Sequence, residues 1–449
     1  MLIQQFEDKF LSHFAYAIVH NGEMVLIDPS RNPQPYYDFA KQNNAKIVAV
    51  IETHLHADFV SSHVEISKST GAKIYMHPAA QPEFSFHAFS DDTSKISLGE
   101  FSLQAIHTAG HSPDSICILL KDETGKITTA FTGDTLFIGD VGRPDLRETT
   151  FTQDATREKL ARQMFHSVHD KLLNLKDDVL VYPAHGSGSL CGKNLSSATS
   201  STIGNERISN VALQPMSEDA FVQMLLADQP MVPKYFVHSV AANRKKDMAT
   251  FQQAMQNVSN PVSENIIDEL LIVDTRTADT FKQSHIKNAI NVPDDKKFET
   301  WIGAIISPDE NFLLFGENKN ALTNFAERVV KIGYENNLKG FFTHSDENIL
   351  QSKSLDVSAF AEHQSDYTIV DVRNNNERKT QTVFENSIHI PLHQLRERAN
   401  EIPKGKPVVT HCGGGNRGAI AASILETKDF SVYDLGMNVK NFVPEKIAH

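Results

Sequence analysis

The chain has 449 residues, of which 40% are apolar and 22% are charged, so it is long enough for about two to four ordinary globular domains. Its formal net charge of -13 at pH 7 argues against nucleic acid or an anionic membrane as a partner. Only three cysteines occur, no run approaches the roughly 20 apolar residues that span a bilayer, and the N-terminus has no signal-peptide pattern, so we expect a cytoplasmic location.

The first part of the chain, residues 1–258, is predicted to alternate short apolar strands with loops that carry metal-ligand residues. The strand predicted at 46–51 ends just before the run Thr-His-Leu-His-Ala-Asp-Phe, and strands are predicted at 116–120 and 128–131. The candidate ligand positions in chain order are His54, His56, Asp58, His111, Asp134 and His185. Because loops at strand ends can converge on one point, this set predicts a metal site. His54 and His56 alternate just past a strand, so we expect both rings to face the same cavity.

The run from His54 resembles the metal motif of the metallo-β-lactamase fold, in which a histidine after the aspartate usually begins a site for a second metal; here Phe59 follows Asp58 instead. A phenylalanine ring has no lone pair to offer to a cation, so one metal is expected rather than two. Two imidazoles and one carboxylate leave three coordination positions open, as in mononuclear ferrous oxygenases. Zinc instead favours a closed or nearly closed tetrahedron. The residues therefore favour one iron and point away from hydrolysis.

A further run, Gly-Asp-Val-Gly-Arg-Pro-Asp-Leu at residues 139–146, completes a recognisable set of motifs. The set resembles the persulfide dioxygenases of the metallo-β-lactamase superfamily. This resemblance implies an α/β chain that begins with an αββα sandwich. It also implies one Fe(II) per chain, held by His54, His111 and Asp134.

The same resemblance implies roles for the residues around the metal. Arg143 and Asp145 are expected beside the substrate, with a surface ion pair between them as the alternative. The residues expected to orient ligands and water are His56, Asp58 and His185. Cys191 is a possible sulfur-handling thiol, although a thiol without a role explains it more simply. Cys117 lies in an apolar run and is predicted to be a core residue.

Residues 259–350 and 351–449 are predicted to be two copies of one α/β fold. Leu-Ile-Val-Asp-Thr-Arg at 271–276 matches Thr-Ile-Val-Asp-Val-Arg at 368–373, an offset of 97. A second strand match, at an offset of 96, sets Gly316 opposite Cys412. Only the second copy therefore has a thiol at this loop.

The thiol loop of the second copy reads His-Cys-Gly-Gly-Gly-Asn-Arg-Gly between a predicted strand and a predicted helix. Backbone N–H groups and the helix N-terminus can stabilise a Cys412 thiolate, and Arg417 can hold an oxyanion at the loop mouth. The other loop residues expected to contact substrate are Gly413, Gly414, Gly415 and Asn416. The pattern resembles a rhodanese, which implies that Cys412 carries a sulfane sulfur as a persulfide. The first copy lacks a nucleophile and is interpreted as a structural or docking copy.

Together the two resemblances cover nearly the whole chain and predict a multidomain enzyme of sulfide detoxification. The N-terminal domain is expected to oxidise a low-molecular-weight persulfide with O₂ to sulfite and a thiol, and the Cys412 persulfide is expected to convert sulfite to thiosulfate. The carrier thiol stays open among glutathione, coenzyme A and bacillithiol, and we expect a homo-oligomer. One alternative is a dizinc thioester or lactone hydrolase of the glyoxalase II type. Another is a non-oxidative sulfur-relay protein whose lactamase-like part is an inert scaffold.

Overall fold

The structure is a computed structural model that describes residues 1–91, 95–146, 156–259, 262, 266–267, 269–344 and 349–443. The chain forms two compact units, Met1–Ala254 with Val330–Gly333, and Met255–Val329 with Tyr334–His449. Within the described ranges, each helix is too short or too polar to cross a bilayer.

The first unit contains two six-stranded sheets. The first sheet consists, in spatial order, of β1 (Leu2–Asp8), β2 (His13–His20), β3 (Glu23–Ile27), β4 (Lys46–Ile51), β5 (Lys73–Met76) and β6 (His87–Ala88). The second consists of β7 (Lys95–Leu98), β8 (Phe101–His107), β9 (Ile116–Lys121), β10 (Ile127–Gly133), β11 (Leu180–Pro183) and β12 (Ser201–Thr202), in the reverse spatial order. The first sheet is antiparallel up to β3 and parallel beyond it, and in the second only β10 and β11 pair in parallel.

The N-terminal part of the chain also contains α-helices. They are α1 (Gln34–Gln42), α2 (His63–Thr70), α3 (Arg157–His166), α4 (Ile203–Ser209), α5 (Glu218–Leu226), α6 (Tyr235–Arg244) and α7 (Phe251–Val258). Several begin at a side chain that caps the first turn, such as Thr156 before α3, which accepts from the Lys159 N–H.

The layering follows from side chains that alternate along each strand. On β2, Phe14 faces the core between the two sheets, whereas the next residue, Ala15, faces the core beneath α1 and α2. On the far side, Ala161 of α3 and Phe221 of α5 belong to the core on the outer face of the second sheet. The αββα sandwich that the sequence resemblance implies is therefore confirmed.

The second unit contains two four-stranded sheets whose neighbouring strands are all parallel. The strands of this unit are β13 (Leu271–Asp274), β14 (His285–Ile286), β15 (Ala289–Asn291), β16 (Phe312–Phe315), β17 (Leu338–Phe342), β18 (Ile349–Leu350), β19 (Thr368–Asp371), β20 (Ile388–His389), β21 (Val408–His411) and β22 (Val432–Asp434). The helices are α8 (Ala278–Gln283), α9 (Phe298–Ile305), α10 (Lys319–Lys331), α11 (Val357–Glu362), α12 (Asn375–Thr380), α13 (Leu395–Arg398) and α14 (Asn416–Glu426).

The two parallel sheets repeat one topology. Their strand orders are β15-β13-β16-β17 and β20-β19-β21-β22, while β14 and β18 form a separate antiparallel pair. The internal repeat predicted from the sequence is confirmed. Strands β16 and β21 are equivalent, so the loops that begin at Gly316 and Cys412 occupy equivalent positions at the carboxyl ends of the two sheets.

Candidate metal centre and sulfur-transfer loop

Three predicted ligands converge at the strand ends of the first unit. His54 follows β4, His111 lies between β8 and β9, and Asp134 comes directly after β10. Their ligand atoms all lie within 4.8 Å of one another, and all three side chains are buried. The fold thus brings together residues that are up to 80 positions apart in the chain.

The geometry of this cluster fits a single cation. The Nε2 atoms of His54 and His111 lie 3.7 and 3.5 Å from Oδ2 of Asp134. That oxygen is buried without a hydrogen-bond partner in the described part of the chain. Burial alone would raise the pKa of the Asp134 carboxyl, but His185, and then His54 and His111, hold it well below its usual value. Two imidazoles and an anionic oxygen at these spacings can hold one divalent transition metal.

His185 supports the cluster from behind. It lies just after β11, and its Nδ1 is 2.7 Å from Oδ1 of Asp134 while its Nε2 is 2.8 Å from Oδ2 of Asp58. Burial alone would lower the pKa of His185, but Asp134 and Asp58 raise it well above its usual value. A protonated imidazole between two carboxylates fixes the orientation of the Asp134 ligand, as the sequence predicts for a residue that orients ligands.

Cys191 lies beside this chain of hydrogen bonds. Its thiol forms a second potential metal group with Asp58 and His185, and burial, together with the nearby Asp134 and Asp58 carboxylates, raises its pKa well above the usual value. The thiol is therefore neutral and close to the metal centre. Cys117 has no such setting, because it is buried on β9 with its sulfur 3.3 Å from Thr108 Oγ1.

His56 does not turn its ligand atom toward the cluster. Its ring centroid is 4.2 Å from that of His54, but its Nε2 lies 3.3 Å from Asp28 and 3.6 Å from Glu52. The two rings therefore lie side by side, but Nε2 of His56 is not part of the ligand cluster. Two buried carboxylates attract the ring to the opposite side, and Glu52 and Asp28 form a separate group with His56.

Phe59 fills the space that a second histidine would use. It is fully buried, and its ring stacks on His56 at a centroid distance of 4.4 Å and contacts the tilted ring of His13 at 4.2 Å. An apolar ring in this place shields the histidines from water instead of supplying a ligand.

Arg143 and Asp145 form an ion pair, but a buried one. The Arg143 guanidinium donates to both Asp145 oxygens at 2.7 Å, to the Leu190 carbonyl at 3.1 Å and to the Pro230 carbonyl at 2.7 Å. The side chain is 1% exposed, so the alternative of a surface pair does not describe it. Gly142, one residue earlier, lies directly against the Asp134 carbonyl and the His111 ring, a contact that sequence reasoning missed.

The thiol loop closes around Cys412 at the N-terminus of α14. The Cys412 sulfur is buried and accepts a hydrogen bond of 3.1 Å from the Gly415 N–H. Gly415 has a φ of +92°, a conformation that a residue with a side chain rarely adopts. The predicted curvature of the loop around the sulfur therefore depends on this glycine.

The equivalent loop of the first copy has no room for a thiol. A Cβ on Gly316 would lie 2.7 Å from Thr275 Oγ1 and 2.9 Å from Leu322 Cδ2. The first copy nevertheless contacts the second, because Lys282 of α8 forms a 2.7 Å ion pair with the buried side chain of Asp434, the last residue of β22 in the thiol-bearing sheet. This contact fits the interpretation of a structural copy.

Comparisons with known proteins match both parts of the chain. The model of the metallo-beta-lactamase superfamily matches residues 8–185, and that of the rhodanese-like domain matches residues 256–344 and 356–441. The mitochondrial persulfide dioxygenases ETHE1 of Bos taurus and Homo sapiens are 28% and 27% identical over 253 and 254 residues, in each case 56% of this chain and 90% of that protein. A solved structure of a metallo-beta-lactamase from Staphylococcus aureus subsp. aureus COL is 30% identical, with a TM-score of 0.68, and covers 76% of this chain and 99% of that one.

Proposed function

The chain belongs to the metallo-β-lactamase superfamily and carries two rhodanese-like domains, and on that premise we propose that it is an iron-dependent persulfide dioxygenase joined to a sulfurtransferase. The observation that carries the proposal is the buried cluster of His54, His111 and Asp134 in a chain that also holds a Cys412 thiol loop. In this proposal one persulfide, one O₂ and one water yield sulfite, the free thiol and a proton.

The dioxygenase half rests on the donor set of the cluster. Two imidazole nitrogens and one carboxylate oxygen are the ligands of many one-iron oxygenases, and they leave positions for a sulfur anion and for O₂. Ferrous iron supplies the redox chemistry that lets triplet O₂ react with a closed-shell persulfide. The protein contributes the orientation of Asp134 through His185 and the exclusion of water by Phe59. The buried pair of Arg143 and Asp145 shapes one wall rather than offering a free guanidinium to the substrate.

The sulfurtransferase half rests on the thiol loop. Cys412 takes the terminal sulfur of a second persulfide and releases its thiol, and the sulfur then passes to sulfite to give thiosulfate. The Gly415 N–H stabilises the sulfur anion in each state of this cycle. We take residues 1–258, 259–350 and 351–449 as the dioxygenase, silent rhodanese and active rhodanese domains, and the three unbridged cysteines favour a reducing cytoplasm.

The test is metal content and turnover of the whole chain. After anaerobic loading with Fe(II), we expect one iron per chain and O₂ consumption with glutathione, coenzyme A or bacillithiol persulfide. The Cys412→Ser variant should consume O₂ at the wild-type rate while its product changes from thiosulfate to sulfite. Loss of O₂ uptake in that variant would contradict the assignment of the two reactions to separate domains. If the wild-type chain consumed no O₂ with any persulfide, the non-oxidative sulfur-relay hypothesis would replace the dioxygenase.

A dizinc hydrolase is the second candidate, because the structure offers a replacement for the missing histidine. Cys191 lies with Asp58 and His185 as a possible second group of ligands. Both ring nitrogens of His185 already lie within hydrogen-bond distance of carboxylates. This favours a His185 that bridges the two carboxylates by hydrogen bonds over a His185 that binds a second metal. Two tightly bound zinc ions per chain, reduced to one by Cys191→Ser, would establish the hydrolase and overturn the dioxygenase.

A further inference from the structure

Glu377 of α12 forms a two-point ion pair with Arg417, the arginine of the thiol loop. The Arg417 guanidinium donates through Nη1 and Nη2 to the two Glu377 oxygens, each at 2.6 Å. Arg417 also interacts with the Cys412 thiol, so one guanidinium serves both the carboxylate and the sulfur. A guanidinium has five N–H donors, and Glu377 takes two of them, which leaves three for the thiol and for a ligand.

The silent first copy serves as an internal control for this pair. The offset of 97 between α8 and α12 aligns Glu377 with Thr280, and the offset of 96 between β16 and β21 aligns Arg417 with Ala321. Both members of the pair are therefore absent where the thiol is absent. A residue needed only for the fold would be expected in both copies.

A different ion pair shows what a structural contact looks like in this repeat. Asp371 pairs with Arg373 in the active copy at 2.6 Å, and Asp274 pairs with Arg276 in the silent copy at 2.6 Å. This pair is present whether or not the loop carries a nucleophile. The pair of Glu377 and Arg417 instead occurs only in the copy whose loop carries the Cys412 thiol.

We propose that Glu377 is a positioning residue for sulfur transfer, whose carboxylate fixes the plane of the Arg417 guanidinium beside Cys412 so that its remaining N–H groups face an incoming sulfur oxyanion. The inference rests on the proposed sulfurtransferase function and identifies how its anion site is held. With thiosulfate as donor, the Cys412 thiolate forms a bond to the outer sulfur, and sulfite leaves with the electron pair of the broken S–S bond. Arg417 must face the departing oxyanion during this step.

Glu377 also has a local structural role that the experiment must separate. One of its oxygens accepts the Asn374 N–H at 3.0 Å at the start of α12. Gln in place of Glu keeps an acceptor for this N–H and for one arginine donor but removes the charge. Removal of a negative charge alone would help a dianion to bind, whereas loss of orientation would hinder it, so the two effects have opposite signs.

The test uses the full chain, thiosulfate as the varied donor, cyanide as acceptor and thiocyanate as product. We expect kcat/KM for thiosulfate to fall about tenfold in Glu377→Gln and further in Glu377→Ala, through a higher KM. Reduction of the Cys412 persulfide by dithiothreitol, an uncharged thiol, should change by less than about twofold. The matched control is Glu401→Gln, which breaks the exposed two-point pair of Arg398 and Glu401 at 2.6 and 2.7 Å.

The outcomes separate the inference from the function on which it rests. An unchanged or lower KM in Glu377→Gln, or an equal loss in Glu401→Gln, overturns the positioning role. If Glu377→Ala fails to fold, Glu377→Gln decides alone. If Cys412→Ser makes thiocyanate as fast as the wild type, the sulfurtransferase function itself is wrong, and the role of Glu377 falls with it.

Discussion

Replacement of Gly142 by alanine should weaken metal binding although no ligand residue is replaced. Gly142 has an ordinary negative φ, so alanine is allowed there by the backbone. The new Cβ, however, would lie 1.9 Å from the carbonyl oxygen of Asp134, and 2.9 Å from Nδ1 and 3.0 Å from Cβ of His111. Two of the three ligands are thus pushed by one methyl group.

The size of the effect follows from the size of the overlap. The 1.9 Å contact is about 1.1 Å shorter than the 3.0 Å below which Cβ contacts essentially never occur. Overpacking a buried site of this kind costs about 1–3 kcal/mol of folding free energy. A displacement of about 1 Å also spoils ligand geometry, so we expect metal affinity to fall about 10- to 100-fold, as when a supporting partner is lost.

The assay is chelator competition for Fe(II), paired with thermal unfolding of the metal-free chain. Gly139→Ala is the matched control, because it lies in the same segment with a φ of +88° but its Cβ would meet only the Asn194 carbonyl at 3.5 Å. That variant should lose stability through backbone strain and keep its metal affinity. A Gly142→Ala protein that binds iron as tightly as the wild type would refute the reasoning.

Three further expectations follow from the same contacts. Gly316→Cys should lower the unfolding midpoint, and in a Cys412→Ser background it should produce no thiocyanate, because Thr275 and Leu322 occupy the space; measurable turnover of that double variant would contradict the crowding argument. His185→Gln should weaken iron binding about 10- to 100-fold in chelator competition, while the exposed His166→Gln should not, and equal affinities would remove His185 from its supporting role. Burial lowers the pKa of His411 from 6.5 to about 4, so the neutral ring contributes fully above pH 6.5, and on the order of 3 kcal/mol is lost as the pH falls toward 4. His411→Asn should therefore flatten the fall of the unfolding midpoint between pH 7 and 5, and a slope identical to the wild type would speak against this origin.

The position of the metal-ligand cluster could be predicted from the sequence, because each ligand follows an apolar strand that its neighbours in the chain already indicate. Strands β4 and β10 could be predicted from short apolar runs; Asp134 stands directly after β10, and His54 lies three residues past the end of β4. The repeat was likewise visible, since strand patterns recur at a fixed offset. These features depend on neighbours in the chain.

Contacts between distant segments were not predictable. The motif around Arg143 predicts a residue that contacts substrate. Its guanidinium instead donates one hydrogen bond to the carbonyl of Pro230, 87 positions away in the chain. The turning of His56 depends on Asp28, and no pattern around residue 56 signals it. Glu377 could have been noticed, because it is the acidic position of the second copy that the first copy replaces with Thr280.

The ion pair between Lys282 and Asp434 couples the folding of the second rhodanese-like copy to the presence of the first. Asp434 is only 3% exposed, so a chain trimmed to its last hundred or so residues would keep a buried carboxylate that has lost its lysine partner. Such a fragment should therefore be less stable than the second copy is within the full chain.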